Sequence, residues 1–123
     1  MSIPFRAVVP FLHVKDVPAS IAFYERLGFR LGNTHAPEGS TETVWAWLSA
    51  ERSGLMVAKA SEPVIAEQQA VMFWFYVDDV PAKHAELTAA GFEVSEIQNP
   101  FWNPHGEFRL KDPDGYDIFI AHT

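Results

Sequence analysis

The polar residues of this chain that could carry out chemistry are few. Glu107 and Arg109 lie two positions apart in a predicted strand, so both side chains point to the same face. The pair either neutralises itself or orients a charged ligand. His13, Tyr76 and Glu107 are residue types that transfer protons, although no spacing groups them into a site. The sequence contains no Ser-His-Asp set, phosphate-binding loop or histidine pair at metal-ligand spacing, so it singles out no catalytic residue.

Aromatic residues are the more unusual feature of the composition. The chain has ten Phe, four Trp and three Tyr. Phenylalanine is ordinary core material, but four tryptophans in so small a protein predict an aromatic-lined cleft that holds a ligand. The segment 99–106 is apolar for a loop and contains Phe101, Trp102 and His105. We expect these three side chains to contact the ligand.

Charge and cysteine content exclude several classes of protein. The net charge of −7 argues against nucleic acid, whose phosphates require a basic face, and fits a neutral or cationic small ligand. The absence of cysteine excludes disulfides and thiolate sites and is typical of a reducing compartment. The first residues lack the basic and apolar regions of a signal peptide, and no stretch approaches membrane-spanning length. We therefore expect a cytoplasmic protein without nucleic-acid or membrane partners.

One stretch of the chain occurs twice. Residues 14–31 return as residues 77–94, sixty-three positions later, and the sequences Val-Pro-Ala and Gly-Phe match without a gap. Such internal repetition predicts a duplicated module. Asp16 and Asp79 precede the repeated Val-Pro-Ala and are predicted to cap a helix that has proline in its first turn.

Around the two predicted helices, branched and aromatic residues predict strands. Gly28 and Gly91 are predicted to end the helices. Each module then has the order strand, helix and three strands. The predicted strands are 8–14, one beginning at 29, 43–48, 55–58, 71–77, 92–97, 107–111 and 116–121, with a loop at 33–42.

The length of 123 residues is that of one domain and is too short for two independent cores. The two modules must therefore share their apolar surfaces. We predict a single domain over 1–123, built from repeats at about 5–59 and 71–122 that a linker at 60–70 joins.

These motifs resemble those of the vicinal oxygen chelate superfamily. Residues 14–29 of the first repeat and residues 112–116 near the end of the second carry the resemblance. The superfamily includes glyoxalase I, extradiol dioxygenases, fosfomycin-resistance enzymes and bleomycin-resistance binding proteins, so one scaffold serves unrelated tasks. The resemblance implies an α+β fold of two paired βαβββ modules, which form a curved mixed sheet around a cleft with the helices on its outer face.

The metal-binding positions of this superfamily are apolar in the chain. In metal-dependent members the ligands come from the first and fourth strands of each module. Carried onto this sequence, the positions are Val9, Met56, Met72 and Phe119. These side chains cannot replace the imidazole nitrogens and carboxylate oxygens that a divalent ion needs. The resemblance therefore implies that the metal is lost and no cofactor is bound, as in the bleomycin-resistance type of binder.

Strand alternation extends this inference to the walls of the cleft. If Val9 and Met72 face the cleft, every second residue after each of them does so too. The two tryptophans of the third strand are assigned to the cleft because the residues between and beside them suit helix packing better. The predicted ligand-binding cleft consists of Phe11, His13, Trp45, Trp47, Met56, Met72, Trp74, Tyr76, Phe101, Trp102, His105, Glu107, Arg109 and Phe119. Alternatively, Met56, Met72 and Phe119 fill a closed core, and His13 lies at its rim.

The leading functional hypothesis is a metal-free protein that binds and sequesters a small aromatic or cationic molecule, such as an antibiotic. A metal-dependent lyase, isomerase or dioxygenase of the same superfamily is the alternative. A third hypothesis is a structural domain whose aromatic surface binds another protein. We also predict a homodimer, because bare sheet faces this aromatic would otherwise be exposed to water.

Overall fold

The computed structural model describes residues 2–122 and contains two compact units. The boundary falls between Val64 and Ile65, within the predicted linker, where Ala66–Gln68 forms one turn of 3-10 helix. Unit 1 contains β1 (Phe11–Val14), α1 (Val17–Leu27), β2 (Arg30–His35), β3 (Trp45–Ala50) and β4 (Ser53–Lys59). Unit 2 contains β5 (Met72–Tyr76), α2 (Val80–Ala89), β6 (Glu107–Lys111) and β7 (Asp117–Ala121).

Both helices begin at an aspartate cap and are followed by a glycine. Asp16 and Asp79 each accept, through Oδ1, a hydrogen bond from the backbone N–H three positions on, at 3.1 and 2.9 Å. Gly28 and Gly91 have φ angles of 114° and 90°, in the left-handed region that glycine adopts most readily. The predicted helix starts and ends are confirmed.

The sheet of unit 1 has the strand order β1-β4-β3-β2. β1 is parallel to β4, and the other pairs are antiparallel. Helix α1 packs on one face and buries Tyr24, whose ring meets Phe29 edge-on with centroids 5.6 Å apart. The buried strand residues are Leu12, Val14, Ala46, Leu48, Leu55 and Val57. The alternate residues of these strands therefore point to the opposite face.

The sheet of unit 2 has the order β5-β7-β6, with β5 parallel and β6 antiparallel to β7. Its buried strand residues include Phe108, Leu110, Ile118 and Ile120. Helix α2 contacts this face through His84, whose ring meets that of Phe108 edge-on at a centroid distance of 4.9 Å. Glu107, Arg109 and Lys111 project from the other face, as the alternation predicts.

The predicted strand at 92–97 is wrong, and unit 2 has three strands where we expected four. The segment 92–97 runs alongside β6 but forms only irregular hydrogen bonds with it. Ser95 N–H donates to the Arg109 carbonyl at 2.9 Å, whereas Arg109 N–H donates to Ser95 Oγ at 2.8 Å. The Ser95 carbonyl lies 2.9 Å from His84 Nε2. Because this carbonyl bonds to α2 and not to β6, the ladder is interrupted.

Several strand boundaries also differ from the prediction, and those of β1 and β2 differ most. β1 begins at Phe11 and not at residue 8, because Pro10 has no N–H to donate; its carbonyl still accepts from Met56 N–H at 2.9 Å. β2 continues to His35, into the predicted loop. Its pairing with β3 shifts register after Leu31, which the residue pattern did not indicate.

The duplication is visible in the strand register. Phe11 pairs with Met56 in unit 1, and Trp74 pairs with Phe119 in unit 2. Each residue of the second pair lies sixty-three positions after its counterpart, so the parallel ladder is the same in both units. The fold is α+β with mixed sheets, which confirms the predicted class. Within residues 2–122, neither helix has the length and apolar character needed to cross a bilayer.

Candidate ligand-binding site

Five of the predicted site residues share the face of the unit 1 sheet that α1 does not cover. Phe11, Met56 and Trp47 align across β1, β4 and β3, and His13 and Trp45 follow two positions along. Phe11 is 49% exposed, and the rings of Phe11 and His13 lie 5.3 Å apart in a tilted arrangement. We call these five residues the unit 1 open face. Both tryptophans of β3 lie on it, as the alternation predicts.

Trp47 lies across the unit 1 open face because two neighbouring positions have no side chain. A Cβ on Gly54 would be 2.5 Å from Trp47 Cζ2, and a Cβ on Gly32 would be 2.7 Å from Trp47 Cδ1. Gly32 belongs to β2 and Gly54 to β4, the strands on either side of β3. The indole therefore occupies the space of two absent side chains and reaches from one neighbouring strand to the other.

In unit 2 the corresponding face carries an aromatic stack with a cation at its end. Trp74, Phe119 and Arg109 align across β5, β7 and β6. The rings of Trp74 and Phe119 are stacked, with centroids 4.4 Å apart and planes at 19°. The Arg109 guanidinium carbon lies 6.0 Å from the centroid of Phe119, within cation–π range. With Met72 and Tyr76, which are both more than half exposed, these residues form the unit 2 open face.

Glu107 projects from the same side of the sheet but is only 7% exposed. Its Oε1 accepts a hydrogen bond from Trp102 Nε1–H at 2.9 Å. Trp102 remains largely exposed and meets Phe101 edge-on at 5.0 Å. Among residues 2–122, Glu107 forms no ion pair with Arg109. The two charges are therefore not in direct contact.

A recess of about 220 Å³ lies beside β6 in unit 2. Its lining residues are Ser95, Gln98, Glu107, Phe108, Arg109 and Phe119. We call it the β6 recess. It combines a buried carboxylate, a guanidinium, two neutral polar side chains and an aromatic wall.

The loop 99–106 does not bring its three candidates to one point. Trp102 contacts Glu107, whereas the ring of His105 lies 4.9 Å from that of His122. Phe101 is 91% exposed and has its ring contact with Trp102. Of the three candidates in this loop, Trp102 is therefore the one with a hydrogen bond to β6, through Glu107.

Tyr76 and Glu107, the two residues of unit 2 that were named as proton-transferring types, are also not brought together. Tyr76 and Glu107 both oppose Ala121, from strands on either side of β7. Strands lie about 4.8 Å apart, so roughly 10 Å separates the two backbones. No hydrogen bond among the described residues links Tyr76 to Glu107, and the geometry indicates no acid–base pair.

The four positions that the superfamily resemblance assigns to metal ligands are apolar. Val9, Met56, Met72 and Phe119 offer no imidazole, thiolate or carboxylate donor. Within residues 2–122 there is no group of three or more His, Cys, Asp or Glu side chains that could hold a metal ion. Met72 is 53% exposed, so it does not fill a closed core.

The family model of the Glyoxalase/Bleomycin resistance protein/Dioxygenase superfamily matches residues 7–120. The chain belongs to this superfamily. The match extends over nearly all of both units, and it confirms the resemblance that the repeated motif and the Asp-Pro-Asp-Gly turn indicated. No sequence among the curated proteins matches the chain significantly.

Solved structures of this superfamily share the fold at low sequence identity. The bleomycin resistance determinant encoded on the transposon Tn5 is 19% identical, with a TM-score of 0.78 over 97% of this chain and 98% of the other. The bleomycin-binding protein of Streptomyces verticillus, solved with copper(II)-bleomycin, is 20% identical, with a TM-score of 0.74 and 99% of each chain covered. The fosfomycin resistance protein FosX from Mesorhizobium loti is 11% identical, with a TM-score of 0.75 over 98% and 94% of the chains.

Sequence reasoning missed two small residues that shape the unit 1 open face and two polar residues that line the β6 recess. Gly32 and Gly54 make room for Trp47, and isolated glycines within strand patterns were the available signal. Ser95 and Gln98 line the β6 recess, but Ser95 lies within the predicted strand 92–97 and Gln98 directly after it. The superfamily resemblance gave no indication of either pair.

Proposed function

We propose that this protein binds and sequesters a small aromatic molecule without a metal ion, as a bleomycin-resistance-type member of its superfamily. The observation that carries the proposal is the stack of Trp74, Phe119 and Arg109 on the unit 2 open face. A stacked pair of rings next to a cation combines an apolar aromatic surface with one positive charge. Such a surface binds a planar ring and orients a polar group attached to it.

The donor set favours a binder over a metal-dependent enzyme. Fosfomycin resistance proteins with this fold include one solved with manganese(II), so the scaffold also accommodates a metal. In this chain the corresponding positions carry Val9, Met56, Met72 and Phe119, and Phe119 instead belongs to the aromatic stack. The phenyl ring of Phe119 has no donor atom for a metal and stacks on Trp74. An aromatic binding surface therefore explains this position better than a metal site does.

The charge of the chain supports a cationic or neutral ligand. With a net charge of −7, the protein attracts cations at long range and repels polyanions. Bleomycin is the compound bound in two of the similar structures, and it is therefore the first probe to test. We further propose a cytoplasmic homodimer that binds neither nucleic acid nor membranes. Sedimentation of the protein as a monomer at micromolar concentration would refute the dimer.

The proposal is tested by calorimetric titration of bleomycin into the purified protein and into a Trp74→Ala variant. Removing a tryptophan on which a ligand stacks weakens binding by ~2 kcal/mol, or about thirtyfold in Kd. Phe5→Ala is the matched control, because Phe5 is 96% exposed and lies outside the helices and strands. We expect the control to bind as the unchanged protein does.

Equal affinity of the unchanged protein and Trp74→Ala would contradict the role of the stack. Metal analysis of protein purified without a tag separates the binder from the enzyme. A stoichiometric divalent ion that stays bound through dialysis would overturn the metal-free proposal.

A further inference from the structure

The charged residues of β6 differ in whether another residue neutralises them. Lys111 pairs with Asp117 on the adjacent strand, with Nζ 2.7 Å from Oδ1. Arg109 and Glu107 project from the same face two and four positions earlier, and among residues 2–122 neither has an ion-pair partner. Two charges of opposite sign therefore lie in the same strand without a salt bridge to any described residue.

Glu107 is the less expected of the two, because a carboxylate that is only 7% exposed has lost most of its hydration. Burial of a charge is unfavourable unless hydrogen bonds or an opposite charge offset it. The indole N–H of Trp102 occupies one acceptor site on Oε1. A carboxylate offers about four such sites, so Glu107 retains capacity for a further donor. A ligand ammonium group would supply both the donors and the charge.

Arg109 supplies the opposite charge two positions further along the same strand. Its guanidinium carbon lies 6.0 Å from the centre of the Phe119 ring, and five N–H donors are available to an acceptor. Alternate residues of a strand are about 7 Å apart along the backbone. Both side chains line the β6 recess, so a molecule in the recess meets a carboxylate and a guanidinium at once.

We propose that the β6 recess binds the charged end of a zwitterion, namely an α-amino acid or another small aminocarboxylate. The ligand ammonium group binds Glu107 and the ligand carboxylate binds Arg109, while Phe119 supplies the apolar wall for its side chain. The recess volume of about 220 Å³ is on the scale of one amino acid. The inference rests on the proposed function, since it names the polar part of the aromatic ligand that the unit 2 open face would bind.

Three probes with the same ring test this inference by calorimetry: L-phenylalanine, 2-phenylethylamine and 3-phenylpropionate. They carry both charges, only the positive charge and only the negative charge, respectively. Each charged hydrogen bond contributes about tenfold in affinity, so we expect L-phenylalanine to bind about tenfold more tightly than either other probe.

Two isosteric or near-isosteric variants assign each charge to its residue. Glu107→Gln keeps an oxygen for Trp102 Nε1–H, and we expect it to weaken L-phenylalanine about tenfold while 3-phenylpropionate is unaffected. Arg109→Met keeps the apolar stem, and we expect the same loss for L-phenylalanine while 2-phenylethylamine is unaffected. Lys111→Met is the matched control on the same strand, because it also removes one positive charge but does not line the recess. Circular dichroism checks that each variant is folded.

The inference is overturned if no probe binds, if L-phenylalanine binds no better than the singly charged probes, or if Lys111→Met weakens it as much as Arg109→Met does. Should Glu107→Gln fail to fold, the probe series on the unchanged protein and the Arg109→Met result still decide. Bleomycin binding that depends on Trp74, together with a negative result here, would leave the proposed function standing. Selective L-phenylalanine binding without any bleomycin binding would support the recess and reject the proposed antibiotic binding.

Discussion

Replacing Gly54 by alanine should destabilise the protein mainly through Trp47. The new Cβ would lie 2.5 Å from Trp47 Cζ2, 2.7 Å from Cη2 and 3.1 Å from the Leu48 carbonyl oxygen. Ordinary contact between carbon atoms begins near 3.5 Å, so the indole must move by about 1 Å. Gly54 has no left-handed backbone conformation, so alanine introduces no backbone strain there.

Two effects of opposite sign determine the magnitude. Overpacking of a fitted site costs about 1–3 kcal/mol. Replacement of glycine by alanine lowers the entropy of the unfolded chain and stabilises the fold by about 0.4–1 kcal/mol. We therefore expect Gly54→Ala to lower the free energy of unfolding by about 1–2 kcal/mol. In a Trp47→Ala background the overlap is gone, and the same substitution should be neutral or stabilising.

Urea unfolding followed by far-ultraviolet circular dichroism measures both effects, because it does not depend on the fluorescence of the residue that is removed. The four proteins of the double-mutant cycle should give a coupling energy of about 1–3 kcal/mol with unchanged m-values. An equal loss of stability in both backgrounds would refute the reasoning, since the loss would then not come from the indole. The Leu48 carbonyl is present in both backgrounds and cancels in the cycle.

Two further substitutions test local hydrogen bonds by urea unfolding. Asp79→Ala removes the cap of α2 and should lower the free energy of unfolding by about 1 kcal/mol, whereas the neighbouring Asp78→Ala should change it by less than about 0.5 kcal/mol. Asp112→Ala removes the carboxylate oxygen that accepts from Asp114 N–H at 2.8 Å and Tyr116 N–H at 3.0 Å, so it should cost about 2–4 kcal/mol. Asp112→Asn keeps an acceptor oxygen and should cost less; an equal loss would show that charge and not hydrogen bonding matters there.

The parts of this fold that local chemistry determines could be predicted from the sequence. Asp16 and Asp79 each cap a helix within three residues, so the motif contains both partners of the contact. The equivalence of Met56 and Phe119 followed from the offset of the repeat, and the two residues pair with Phe11 and Trp74, which are also sixty-three positions apart. Period-two alternation also predicted that Trp45 shares a face with Phe11 and Met56.

The failures involve contacts between residues far apart in the chain. The segment at 92–97 has the composition of a strand, but the Ser95 carbonyl bonds to His84 on α2, and no local pattern shows that competition. The burial of Glu107 depends on Trp102 folding over it from the preceding loop. The place of Trp47 depends on glycines in two other strands and on a register shift in one of them. Each of these requires three-dimensional register, which residue types alone do not determine.

The alternation in β3 separates buried core positions from positions on the open face that can be substituted without altering the core. Ala46 and Leu48 have no exposed surface, while Trp45 and Trp47 lie half-buried on the other face. Directed evolution could therefore randomise the open-face residues of β3 and β6 while leaving every core residue in place. The same scaffold would then yield binding proteins for other ligands, with the helices and their caps left unaltered.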